Sequence, residues 1–73
     1  MTALAYEART VTALADLRQA LAEEMACWAI YRSAQSRGHP DSAATCRREV
    51  DAASARTAAA FEAWTAAMRE GQR

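Results

Sequence analysis

The chain has 73 residues, of which 52% are hydrophobic, and its formal net charge is zero: nine basic residues, all arginine, face nine acidic ones. One small domain is the most that this length allows, and its own core supplies little stability unless disulfides, a metal or a partner add to it. Neutrality excludes a global pull toward nucleic acid or an anionic membrane, and no stretch approaches the roughly 18 apolar residues of a spanning helix.

From Thr2 to Arg37 there is neither glycine nor proline, and alanine, leucine, arginine, glutamate, glutamine and methionine dominate. These are the strongest helix formers, so the spacing predicts a helix over about 2–37, with the Thr2 hydroxyl as its N-cap. Such a helix runs to roughly 54 Å, long enough that a start as late as Thr10 or Thr12 is the alternative. Its large apolar residues, Val11, Leu14, Leu17, Leu21, Met25 and Trp28, recur at three- and four-residue steps, which is a helical stripe. In that frame Tyr31 flanks the stripe, while Cys27 and Ile30 point away from it.

The segment RSAQSRGHPDSAATCRR, Arg32 to Arg48, holds the only histidine and the only proline. Gly38 sits where a left-handed residue ends a helix, and Pro40 is tolerated at the first turn of the next. Asp41 and Ser42 then offer oxygens to the free N–H groups of a second helix over about 41–70, which Gly71 closes in a left-handed conformation. The turn therefore spans residues 38–40. Along the second helix Cys46, Val50, Ala53, Thr57, Ala60, Trp64 and Ala67 alternate steps of four and three, a heptad seam of mostly small residues.

A short connection makes the two helices antiparallel neighbours. Trp28 then lies level with Val50, Leu21 with Thr57 and Leu14 with Trp64, and Glu24 comes within reach of Arg56. The expectation is an all-α protein, residues 1–73 forming a single coiled-coil-like hairpin. Half of its mutual face is alanine, and Phe61 and Met68 lie beside the seam. So thin a core leaves apolar surface for a partner, most simply a second copy in a homodimeric four-helix bundle. The interface residues expected are Leu14, Leu17, Leu21, Met25, Trp28, Val50, Phe61, Trp64 and Met68.

Chemistry-bearing residues are few. His39 has no metal-ligand spacing to Asp41, Cys46 or Glu49, and no Glu-x-x-His pair exists to build a bundle metal site. Neither a metal nor another cofactor is implied. Cys27 and Cys46 are offset along the hairpin and divergent, so they are expected to stay unpaired, in a reducing, cytoplasmic compartment. The basic residues Arg32, Arg37, His39, Arg47 and Arg48 gather at the turn end beside the second helix's N-terminus. That cluster suits an anion: a nucleotide, an acidic protein surface or, less well without a stacking platform, nucleic acid. The competing reading is a solvated end, with Arg47 paired to Asp51 and Arg32 stacked on Trp28.

The outline is similar to the small, alanine-rich helical-hairpin substrates of type VII secretion, which are dimeric. Their Trp-x-Gly turn is replaced here by Arg37-Gly38-His39-Pro40, and WTAAMREGQR carries no Tyr-x-x-x-Asp/Glu pattern, so the likeness is one of shape. The function expected is non-enzymatic: a helical protein–protein interaction module serving as adaptor, regulator or small subunit. The alternative is an anion-binding protein working through the arginine-rich turn.

Overall fold

The computed structural model of the chain describes residues 2–72. They form two helices, α1 from Ala3 to Ser36 (34 residues) and α2 from Pro40 to Glu70 (31 residues), packed antiparallel against each other along their length. The result is a rod whose Cα atoms span 54 × 13 × 12 Å.

Local signals set the ends of α1. The Thr2 hydroxyl accepts from the Ala5 N–H at 3.1 Å, satisfying one of the free amides of the first turn. The helix therefore starts at Ala3 and not near Thr10 or Thr12. At the other end Gly38 has φ +71°. Its N–H donates to the Gln35 carbonyl, and the His39 N–H donates to the Ala34 carbonyl. This pair of bonds is the Schellman stop, and the left-handed residue it needs is the glycine.

The start of α2 differs from the sequence expectation. His39 is its N-cap residue, without a side-chain bond to the helix, and Pro40 occupies the first turn. Asp41 and Ser42 lie already inside the helix, two and three positions past the cap. Asp41 still places a negative charge in the first turn, where the helix dipole favours it. Gly71 also departs from expectation: its φ of −72° and ψ of −15° are right-handed. Its importance is absence of bulk, since the Tyr6 ring occupies the place a Cβ would need.

The buried positions of α2 follow the predicted seam. Val50, Ala53 and Ala67 are buried, and Cys46, Thr57, Ala60 and Trp64 are half-buried. Those of α1 do not. Its inward line is Tyr6, Thr10, Ala13, Leu17, Ala20, Glu24, Cys27, Tyr31 and Ala34, again in alternating steps of four and three, with Leu17 and Ala34 the most buried of it. Of the predicted stripe only Leu17 belongs to this line. Leu14 and Trp28 are half-buried beside it, while Val11, Leu21 and Met25 are 68%, 44% and 71% exposed. The larger hydrophobes thus lie about one residue, some 100°, round the helix from the face that meets α2. Small side chains on both inward faces let the backbones approach closely. Leu21, 44% exposed, lies at the edge of this seam and not within it.

Cross-hairpin pairs fix the register. Arg9 grips Glu70 with two N–H groups, one of them at 3.2 Å, and Arg56 lies 4.0 Å from Glu23. The partner of Arg56 is thus Glu23 and not Glu24, whose position lies on the half-buried inward line. Both pairs lie on one side of the hairpin. The opposite side carries most of the exposed apolar residues, while Ile30, 55% exposed, lies whole heptads from Arg9 and Glu23 on the charged side.

Candidate functional site

Two surfaces qualify: the apolar side of the rod and its turn end. The apolar side, hereafter the flank, is built from two lines of residues. On α1 Leu14, Leu21 and Trp28 recur every seven residues at the edge of the seam, with Val11 and Met25 just outside them. On α2 Phe61 and Met68 occupy the corresponding edge, one heptad apart, with Arg47 two heptads before Phe61. Phe61 is 54% exposed and packs against Trp64 with ring centroids 6.0 Å apart. Each of these side chains comes after or before a seam residue, so the same periodicity that closes the hairpin lines them up beside it.

Of the nine residues expected to meet a partner, the structure brings seven to or near this flank: Leu14, Leu21, Met25, Trp28, Phe61, Trp64 and Met68. Leu17 and Val50 are buried between α1 and α2, Val50 to 1% exposure, so they hold the hairpin and have no surface to offer. Leu4 and Val11, both exposed on α1, join the flank without having been singled out as interface residues. Their signal was available, since Leu4, Val11 and Met25 lie whole heptads apart.

At the turn end of the flank the aromatic rings are closed off by a cation. The Arg47 guanidinium lies 5.3 Å from the Trp28 ring centroid and 5.8 Å from that of Tyr31. The two rings meet edge-on at 5.9 Å. Arg47 also pairs with Asp51 at 3.3 Å, and the Gln35 amide donates to the Tyr31 hydroxyl at 2.9 Å. The cation on Trp28 is therefore Arg47 from across the hairpin, where the sequence had placed Arg32. Quadrupole attraction and the carboxylate together hold this guanidinium at the aromatic face.

The basic residues of the tip do not converge. Arg47 is engaged as described, and Arg48, about 100° round the helix from it, reaches the Thr45 hydroxyl at 3.2 Å. Arg32 lies beside Met25 and Trp28 along the apolar flank. Arg37 and His39 border a separate open groove with Ile30, Ser33, Ser42 and Cys46 on the other side. Five groups that share one end of the molecule thus face several directions, so no single phosphate or carboxylate meets them together.

Cys27 and Cys46 are free thiols. Cys27 is half-buried on the inward line of α1, not turned outward, because that line runs one residue away from the hydrophobic stripe used to orient it. Among the described residues, no three His, Cys, Asp or Glu side chains gather where they would hold a metal ion, and no helix is long and apolar enough to cross a membrane. No protein-family model matches the chain, and no curated protein or solved structure matches it either.

Proposed function

We infer that the protein is a non-enzymatic interaction module, an adaptor, regulator or small subunit, that associates through the apolar flank of its hairpin in the cytoplasm. The observation that carries this reading is the rotation of the large hydrophobes of α1 off the seam. Val11, Leu21, Met25 and Phe61 stay exposed on one side after the two helices have packed. A contiguous apolar strip on so small a molecule is the signature of a contact surface, whereas singly scattered hydrophobes are not. A core in which only Val50 among the larger side chains is fully buried adds a second reason, because association supplies the burial that the hairpin lacks.

The test is absolute mass by light scattering under reducing conditions across a wide concentration range, for the parent chain and for Phe61→Glu. A dimer or larger species is expected, which Phe61→Glu splits while helicity by circular dichroism persists. A chain monomeric throughout, or an assembly indifferent to Phe61→Glu, overturns the reading.

A further inference from the structure

Resting on that reading, we propose that the flank is covered by a second copy of this chain, with α1 antiparallel on the partner's α1 and the two turns at opposite ends. The apolar pattern selects the helix. On α1 the flank is nearly unbroken, from Leu4 through Val11, Leu14, Leu21 and Met25 to Trp28. On α2 the same edge holds Arg47, Ser54, Phe61 and Met68, half of it polar. A hairpin laid with α2 on the partner's α1 would press Arg47 and Ser54 onto apolar side chains. Only α1 against α1 matches apolar to apolar over most of the contact, and a two-fold contact is self-complementary in this way.

Charge then selects the direction. The flank of α1 carries an exposed Glu7 near its start, Arg18 in the middle and an exposed Arg32 near its end. A parallel pair places Arg32 beside the partner's Arg32 and Glu7 beside the partner's Glu7. An antiparallel pair can set Glu7 level with the partner's Arg32. In that same register Val11 meets the partner's Trp28, Leu14 meets the partner's Met25, and Arg18 falls beside the partner's Leu21. Sliding one heptad in one direction puts Arg32 on the partner's Leu14. Sliding in the other puts Glu7 on the partner's Met25. Each shifted register also sets Arg18 on a partner's apolar side chain, so the unshifted one has the fewest charges against apolar groups, Arg18 alone, and pairs the two charges at its ends.

The experiment uses the full chain with a nitroxide at Ser36→Cys, an exposed position at the end of α1, in a Cys27→Ala/Cys46→Ala background. Ser36 of one copy lies level with the partner's Ala3, so the two labels of a dimer are expected about 50 Å apart. A dimer with labels closer than roughly 30 Å places the turns together, because side-by-side helices lie about 10 Å apart. That result overturns this arrangement and leaves the interaction reading standing. A monomer at every concentration overturns both.

Charge reversal gives a second measurement that keeps the native cysteines. Glu7→Arg and Arg32→Glu are each expected to raise the dimer dissociation constant about tenfold at low salt, since two exposed contacts turn repulsive. The double variant returns it to within about twofold of the parent. An equimolar mixture of the two single variants is expected to form mostly the mixed dimer, read by native mass spectrometry. A statistical mixture, or a double variant no tighter than the singles, overturns the register.

Discussion

The Tyr6 ring stands over Gly71 in the space that a Cβ would need, and its hydroxyl reaches the Met68 carbonyl at 3.5 Å. This contact ties the start of α1 to the end of α2 at the open end of the hairpin, beside the Arg9–Glu70 pair. Gly71→Ala is expected to push the ring aside, so that Gly71→Ala and Tyr6→Ala lose the same contact. Their costs are then non-additive, with a coupling of about 0.5 kcal/mol in a double-mutant cycle by urea unfolding. Strict additivity would mean that the ring and the glycine are energetically independent.

Gly38 separates backbone strain from crowding. It has φ +71°, and nothing lies within 4 Å of where its Cβ would be. Gly38→Ala therefore meets no neighbour and pays only for the left-handed backbone, about 1 kcal/mol. Gly38→Asn is expected to lose less, because asparagine tolerates that region. Equal losses for the two would shift the cause from backbone to side chain.

The seam is sensitive in both directions. Val50→Ala removes two methyl groups from the most buried large side chain and is expected to cost about 2 kcal/mol. Ala53→Leu adds bulk where the helices approach at 1% exposure, forcing them apart at about 1–3 kcal/mol. Val11→Ala, on the flank, is expected within about 0.5 kcal/mol in the dissociated chain. Thermal unfolding at low concentration checks all three, and a large loss at Val11 would place it in the hairpin core.

The charged side is expected to matter little. Arg9–Glu70 and Arg56–Glu23 are ion pairs between half-exposed side chains. Glu70→Gln and Glu23→Gln should each cost less than about 1 kcal/mol, and less again at high salt. The bidentate Arg9–Glu70 pair is the larger of the two. Losses unchanged at 1 M salt would argue against an electrostatic origin.

The two helices were unequally legible in the sequence. In α2 few large hydrophobes competed with the seam, and the run from Cys46 to Ala67 marked the inward face residue by residue. In α1 the hydrophobes at Val11, Leu21 and Met25 marked a face that exists but is not the one against α2. Hydrophobicity records that a side chain seeks burial, not which surface provides it. The true inward line has small residues at Ala13, Ala20 and Cys27 that permit close approach and, with Glu24 among them, little apolar contrast to reveal it. The turn was readable because Gly38 and Pro40 each have narrow backbone preferences. The exchange of Arg32 for Arg47 on Trp28 follows from the same rotation, since it determines which edge of α1 faces which edge of α2.

A rod two helices thick, 54 × 13 × 12 Å across its Cα atoms, has no interior in which a guest could be enclosed. On the proposed reading a partner is read along a line, one side chain per helical turn, in the manner of a zipper and not a lock. Specificity in such a molecule resides in phase. A partner shifted by a single heptad meets the same kinds of side chain at the wrong places, and only the few charges at the ends of the strip tell it so.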